Sequence, residues 1–108
     1  MQKLLQTYRV EEPKKQDSLL EILSDKYCRE IIKSILSKSK SVIEIANETK
    51  IPLSTVYRRI QTLHDNKLLA TSGTITEDGK RLFLYKSKVK GIQSVFVHDT
   101  VEVELILN

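Results

Sequence analysis

The stretch Ser41–Leu69, SVIEIANETKIPLSTVYRRIQTLHDNKLL, contains two helical patterns on either side of a proline. Ser41 followed three residues later by Glu44 is a capping box, in which each side chain bonds the backbone N–H of the other residue, and it predicts the start of a helix. Pro52 disfavours a helical conformation at the residue before it but fits the opening of a following helix. The sequence therefore predicts two short helices joined by a tight turn, the second covering about 53–66.

The second predicted helix has two different faces. At about 100° per residue, one side is expected to be buried and consists of Leu53, Val56, Ile60 and Leu63. The other side is polar and comprises Ser54, Thr55, Tyr57, Arg58, Gln61, Thr62 and Asp65. Arg and Gln hydrogen-bond the edges of guanine and adenine, and the free N–H groups of a helix start suit a phosphate. This face would suit the major groove of duplex DNA, although an ordinary amphipathic surface helix gives the same pattern.

Two further helices are predicted before this stretch. Ser18 with Glu21 forms another capping-box pattern and predicts a short first helix. A scaffold helix is expected to begin near Ser24 or Asp25, because apolar residues then recur at three- and four-residue spacing, namely Cys28, Ile31, Ile32, Ile35 and Leu36. Residues 1–16 have no pattern of their own and are expected to form an N-terminal arm.

Extended patterns replace the helical ones near Leu68. The predicted strands are 68–75 and 80–85, then 92–97 and 101–107. The first pair flanks Thr76–Gly79, whose Asp-Gly pair is a strong hairpin signal because both residues tolerate positive φ. The second pair flanks a turn at His98–Thr100. Both pairs are therefore expected to form β-hairpins.

The 108-residue chain fits one compact domain of the α+β class. The expected architecture is a winged helix-turn-helix of three to four helices and a β-hairpin wing over 17–90, with an additional C-terminal β-hairpin at 91–108. The chain contains no run of eighteen apolar residues and no signal-peptide pattern, which predicts a cytoplasmic protein with no membrane partner. A single cysteine, Cys28, cannot form an internal disulfide and agrees with a reducing compartment.

Charge is distributed unevenly along the chain, whose net charge is +4. Residues 50–90 hold nine Lys or Arg against three Asp or Glu, a local net charge of +6. Residues 1–49 have a net charge of +1 and residues 91–108 of −3. Such a basic block is what a surface facing phosphates requires, although a solvated basic face is a common alternative.

The segment from Ser18 through Lys86 resembles the winged helix-turn-helix of ArsR-type prokaryotic transcriptional regulators, with archaeal members closest in character. The resemblance is carried by LLEILSDKYCREIIKSIL at 19–36, IEIANETKIPLSTVYRRIQTL at 43–63 and DGKRLFLYK at 78–86. It implies a sequence-specific regulator with the helix at about 53–66 in the major groove of double-stranded DNA and the wing, 76–81, on the backbone. The residues expected to contact DNA are Ser41, Ser54, Thr55, Tyr57, Arg58, Arg59, Gln61, Thr62, Lys80 and Arg81.

Two features depart from that family. Lys50 stands where such turns often place glycine, so a lysine would have to adopt the left-handed conformation. Many relatives end in a helix that pairs two subunits, whereas this chain ends in a predicted hairpin. The resemblance therefore allows a second copy of the chain as a partner in a homodimer, but it does not by itself predict one.

Residues of metal-binding and catalytic types occur in the sequence without the spacing of a known site. Cys28, His64 and His98 are of the types that bind thiophilic and borderline metals. Cys28 lies on the apolar stripe of its helix, and neither histidine belongs to a ligand motif, so no metal or cofactor is expected. The chain also lacks a phosphate-binding loop, a nucleophile motif and a catalytic carboxylate cluster, which predicts a non-enzyme.

Two other functions fit parts of the sequence. The winged helix would serve as a protein-protein interaction module if the edge of the C-terminal hairpin paired with a partner and the basic block were only solvated. Binding of structured RNA shares the charge argument but lacks interleaved aromatic residues suited to base stacking. Transcriptional regulation through duplex DNA accounts best for the helix, the wing and the charge together.

Overall fold

The computed structural model describes residues 6–108, in which four helices and five strands form. The elements are β1 (Thr7–Val10), α1 (Pro13–Ser24), α2 (Lys26–Ser34), α3 (Val42–Thr49), α4 (Leu53–Asp65), β2 (Leu69–Ile75), β3 (Arg81–Ser87), β4 (Val89–Val97) and β5 (Thr100–Leu107). All strand pairs are antiparallel and form two sheets, one of order β1-β5-β4 and one of β2-β3. This is the α+β winged-helix architecture that the sequence predicts, including the additional hairpin.

The N-terminal segment differs from the expected arm. Residues 1–5 of that arm lie outside the described residues, but Thr7–Val10 forms a strand that pairs with β5 from Thr7↔Ile106 to Val10↔Val103. Val10 is buried in the core. A four-residue strand has too few positions to show a two-residue period, so only the presence of β5 defines it.

The first helix also begins earlier than predicted. Pro13 occupies its first turn, where a missing N–H costs nothing. The hydroxyl of Ser18 donates to the carbonyl of Lys14 at 3.2 Å, as in a helix interior, so the capping box expected at Ser18 does not form. The helix gains its stability from the buried Leu19 and Ile22, not from a cap at Ser18.

The other helix boundaries follow the local signals in the sequence. Asp25 caps α2 by accepting a hydrogen bond from the N–H of Cys28 at 3.1 Å. Both bonds of the capping box between Ser41 and Glu44 are present at the start of α3. Lys50 ends α3 with φ 63°, which is the left-handed conformation expected from its place in the turn.

The core lies between the four helices and the bases of the two hairpins. Its most deeply buried side chains include Leu19, Ile31, Ile35, Ile45, Val56, Leu63, Leu68, Val89 and Val103. Side chains of both hairpins, such as Leu68 and Val103, therefore share one core with the helix-turn-helix. The C-terminal hairpin is a packed part of the domain, and it fixes α1 through contacts with β4 and β5.

Both hairpins have well-defined attachments and turns. The wing, formed by β2 and β3, is fixed to the loop before α3 by two backbone hydrogen bonds between Lys40 and Tyr85, at 3.0 and 2.9 Å. In the C-terminal hairpin, His98 and Asp99 have φ of 51° and 63° and form a two-residue turn, while Thr100 already belongs to β5. Positive φ at both positions is the conformation that matches the twist of the flanking strands.

Candidate nucleic-acid interface

Helix α4 carries an exposed polar face along its whole length. Ser54, Arg58, Gln61 and Thr62 are exposed, and Tyr57 is 56% exposed. Thr55 is half-buried. The opposite face, formed by Val56, Ile60 and Leu63, is buried as the helical period predicts. The expected polar surface therefore exists and is continuous.

Leu53 does not belong to the buried stripe. Its side chain is 44% exposed, although the helical period places it on the same side as Val56. Leu53 is the first residue of α4, where the preceding chain turns away at Pro52 and leaves that end of the stripe uncovered. Periodicity gives the direction of a side chain, whereas burial also requires a neighbour to pack against it.

The start of α4 leaves a backbone donor free for an anion. Pro52 precedes the helix and makes no side-chain cap. Its carbonyl accepts hydrogen bonds from the N–H groups of Thr55 and Val56, both at 3.0 Å. No partner within residues 6–108 takes the N–H of Ser54. This donor and the exposed Ser54 hydroxyl lie together at the positive end of the helix dipole, which suits a phosphate oxygen.

Ser41 is not part of this exposed surface. Its residue is only 4% exposed, and its hydroxyl accepts the N–H of Glu44 at 3.2 Å. The cap predicted at this position is present, but its oxygen is used inside the protein. We therefore leave Ser41 out of the candidate interface and assign it the start of α3.

Arg58 and Arg59 are adjacent in sequence but have different surroundings. The Nε of Arg59 donates to Asp25 at 2.7 Å, and its guanidinium lies 5.7 Å from the ring centroid of Tyr27. The guanidinium of Arg58 has no hydrogen-bond or ion-pair partner within residues 6–108. Arg59 thus joins α4 to α2, while Arg58 is available to an external acceptor.

The ion pair between Asp25 and Arg59 shifts the pKa of both groups. Partial burial alone would raise the pKa of Asp25, but hydrogen bonds from Cys28 and Arg59 outweigh it and hold that pKa below its usual value of 3.8. The hydrogen bond to Asp25 is also the main cause that raises the pKa of Arg59. The pair therefore remains ionised at neutral pH.

Asp25→Ala is expected to lower the free energy of unfolding by about 1–2 kcal/mol, because it removes the cap of α2 and the partner of Arg59. Asp25→Asn keeps a capping oxygen without the charge and should cost less. Because folding lowers the pKa of Asp25, the charge-dependent part of this stability is complete above the unfolded-state pKa. It is lost as pH falls through the folded-state pKa. Urea titrations of wild type and both variants at neutral and acidic pH measure these free energies of unfolding. The charge-dependent contribution would be contradicted if the difference in unfolding free energy between wild type and Asp25→Asn were the same at acidic pH as at neutral pH.

The remaining polar residues of α4 are ordered by bonds along the helix. The amide nitrogen of Gln61 donates to Asp65 at 2.8 Å, which fixes its side chain on the exposed face. The hydroxyl of Thr62 donates to the carbonyl of Arg58 at 3.1 Å. Gln61 is thus held in place, with an amide oxygen and a second amide proton still able to pair with a base edge.

The wing extends this surface beyond α4. Because side chains alternate along strands, the pairs Thr71↔Tyr85, Gly73↔Phe83 and Ile75↔Arg81 lie on one face of the hairpin. A cleft of about 230 Å³ separates the inner part of that face from α4 and is lined by Ile60, Gln61, His64, Thr71, Phe83 and Tyr85. Arg81 therefore lies on the face of the wing that borders α4. Lys80 is exposed in the turn beside it.

Sequence reasoning did not identify two apolar residues on this face. Phe83 is 48% exposed and Ile75 is 74% exposed. Both lie on the same side of the wing as Arg81, so the basic tip has an apolar surface next to it. The run RLFLYK is apolar on both strand faces, so its pattern did not show which face would remain uncovered.

The residues considered for metal binding lie on different elements. Cys28 is buried in α2, His64 is on α4 and His98 is in the turn between β4 and β5. Burial, assisted by the neighbouring Asp25, raises the pKa of the Cys28 thiol to about 12. Across residues 6–108 no group of three His, Cys, Asp or Glu side chains is arranged to hold a metal ion. Cys28 is a protonated core residue, in agreement with its place on the apolar stripe.

Comparison with solved structures identifies the fold. A possible transcriptional regulator from Methanosarcina mazei superposes with a TM-score of 0.56 at 20% identity, covering 77% of this chain and 76% of that protein. NolR from Sinorhizobium fredii superposes with a TM-score of 0.54 at 17% identity, covering 77% of this chain and 84% of NolR. The chain has a winged-helix fold. No model of a known family and no curated protein matches the sequence.

The described helices are all short. The longest, α4, has 13 residues. Within residues 6–108, no helix has the length and apolar character needed to cross a bilayer.

Proposed function

We propose that this protein is a transcriptional regulator that binds double-stranded DNA, with α4 in the major groove and the wing on the sugar-phosphate backbone. The observation that carries the proposal is the contrast between Arg58 and Arg59. The chain uses the guanidinium of Arg59 internally and leaves that of Arg58 exposed and unpaired within residues 6–108, in the middle of the polar face of α4. An arginine in that position has the planar pair of donors that recognises guanine.

Charge and geometry support the same arrangement. The basic block 50–90, with a net charge of +6, contains both α4 and the wing. Arg81 stands at the far end of the wing face that borders α4, with Lys80 in the turn beside it, where the backbone beside an occupied groove would pass. Phosphate contacts from these residues would fix the orientation of the protein, while Arg58 and Gln61 would discriminate between bases.

The finer assignments rest on exposure. Ser54 with its free N–H is the proposed phosphate contact at the start of α4. Tyr57 and Thr62 are exposed next to Arg58 and Gln61 and would contact bases or backbone at the edges of the groove. Thr55 is half-buried and would contribute its outer atoms only. We further propose an ArsR-like subtype, which follows from the sequence resemblance, together with a cytoplasmic location and no catalytic activity.

Selection of bound duplexes from a random pool tests the proposal directly. We expect enrichment of a defined sequence, followed by fluorescence-anisotropy titrations in which affinity falls steeply with salt concentration. Each phosphate contact contributes about 0.9 to the slope of log affinity against log salt, so Lys80→Ala should lower that slope by about one unit. The matched control is Lys33→Ala, which removes an exposed lysine from α2 outside the basic block and should leave the slope unchanged.

Absence of binding to any duplex at low salt would overturn the proposal. It would favour the alternative in which the winged helix is a protein-protein interaction module. Tighter binding to structured RNA than to any selected duplex would also overturn it, and would assign the basic surface to RNA.

A further inference from the structure

We propose that two copies of this chain associate through the outer edge of β4, forming a continuous six-stranded sheet in which Phe96 of each copy fills an apolar cavity of the other. This association does not depend on DNA binding. In the sheet order β1-β5-β4, one side of β4 has no neighbouring strand in residues 6–108.

The edge of β4 lacks the features that normally prevent strand pairing. Residues 91–98 contain no Lys, Arg, Asp, Glu or Pro, although charges and prolines are the usual protection of exposed edges. At nine residues, β4 is also long for an edge strand. The two-residue turn at His98 and Asp99 makes Val97 and Thr100 a hydrogen-bonded pair of the β4-β5 ladder. Hydrogen-bonded and non-hydrogen-bonded pairs alternate along an antiparallel ladder, so the N–H and C=O groups of Ser94 and Phe96 are directed away from β5.

Phe96 is the most exposed of the large apolar residues of this strand. Phe96 pairs with Val101 of β5, and both lie on the same sheet face as Ile92, which is the face that packs against α1. The side chain of Phe96 is nevertheless 71% exposed. Farther from the turn, Val103 and Leu105 on this face are buried in the core. Phe96 therefore projects from a core-facing side of the sheet at a point that the chain itself leaves uncovered.

A cavity suited to Phe96 lies at the other end of the same strand face. It has a volume of about 230 Å³ and is lined by Ile22, Leu23, Arg29, Ile32, Lys90, Gly91 and Ile92. An apolar cavity of about 150 Å³ already takes up benzene, so this one has room for a phenyl ring. One molecule thus carries both an exposed aromatic side chain and an open apolar cavity, four residues apart on one strand face.

Antiparallel pairing of two β4 strands brings these features together. With the two-fold axis at Ser94, Ser94 lies opposite its own copy and Ile92 lies opposite the Phe96 of the second copy. Directly opposed residues project from the same face of a sheet, so Phe96 of one copy is directed toward the cavity beside Ile92 of the other. Val97 then lies opposite Gly91, where the missing side chain provides space. The arrangement is isologous, so each contact occurs twice.

Charge complementarity favours a second copy over a different protein. Lys88 and Lys90 lie at the start of β4, and Asp99 lies in the turn at its end. In an antiparallel pair, the turn of each copy lies beside the start of the other, so opposite charges meet at both ends. The two-fold axis is perpendicular to the sheet, so it leaves each sheet face on its own side. The helices of the two copies, which cover the same face in each copy, therefore lie on the same side of the six-stranded sheet.

Sedimentation of the full chain without DNA, over a concentration series, tests the interface. We expect a dimer for wild type, and dissociation constants raised about tenfold or more for Phe96→Ala and Ser94→Pro. Proline removes only an N–H that the monomer does not use, as edge strands tolerate. The matched control is Tyr8→Ala, because Tyr8 is 60% exposed on β1 at the opposite edge of the same sheet. Circular dichroism melts establish that each variant is folded.

Cysteine cross-linking tests the register. Opposed residues across the axis have Cα atoms about 5.5 Å apart, within the range of a disulfide, so Ser94→Cys should form a covalent dimer under mild oxidation. Val97→Cys would place its two thiols about 20 Å apart along the strands and should not form a covalent dimer. The native Cys28 is buried and is therefore not expected to form the intermolecular disulfide itself. A monomer at every concentration, unchanged association of Phe96→Ala, or cross-linking through residue 97 in place of residue 94 would overturn the proposal, whether or not the protein binds DNA.

Discussion

Arg58→Ala is expected to weaken binding to the selected DNA sequence by one to two orders of magnitude, or about 1–3 kcal/mol. The guanidinium of Arg58 is exposed on α4 and has no partner within residues 6–108, so its removal disturbs no described contact of the free protein. Anisotropy titrations should show a smaller loss on random DNA, because a base contact contributes only to the matching sequence.

The neighbouring Arg59 is the matched control for this experiment. Arg59→Ala removes the same charge from the same helix turn, but that guanidinium is bound to Asp25. It should lower stability while changing specific DNA binding much less than Arg58→Ala. An equal loss on every sequence would assign Arg58 to a phosphate contact, and an unchanged affinity would remove it from the interface.

Leu63→Ala is expected to lower the free energy of unfolding by about 2–5 kcal/mol, the usual cost of leaving a cavity in a core. Leu63 is fully buried on the inner face of α4. For a small domain whose total stability is about 5–15 kcal/mol, this is a large fraction. Urea denaturation followed by circular dichroism measures the change.

Leu53→Ala provides the comparison on the same helix. Leu53 shares the apolar stripe with Leu63 by periodicity but is 44% exposed, so its truncation should cost about 0.5 kcal/mol or less. Similar losses for both variants would mean that Leu53 is covered, for example by a partner, and would contradict the position described for it.

The elements with local signals could be predicted closely. The capping box at Ser41, the helix start near Asp25 and the turn at Lys50 each depend on residues within four positions of one another, and each is present. The approximate positions of both hairpins also followed from extended residue patterns and turn chemistry. Such features form because the hydrogen-bond partners are already neighbours in the chain.

The features that the sequence did not predict concern residues whose partners lie far away in sequence. Thr7–Val10 becomes a strand only by pairing with β5, almost a hundred residues later, and no period within four residues predicts that. The sequence does not distinguish the surroundings of Arg59 from those of Arg58. The two differ because the fold places Asp25, 34 residues away in sequence, beside Arg59. Ser41 was correctly predicted as a cap, but its burial follows from the packing around α3.

The sequence alone thus determined the helix-turn-helix, both hairpins and the basic block, because helix caps, turns and residue periods act over a few positions. Tertiary packing decided which of two adjacent arginines faces outward, which end of the α4 stripe is covered and which edge of the C-terminal hairpin remains open. Those outcomes depend on whether a distant element arrives to supply a partner or exclude water, and no local pattern contains that information.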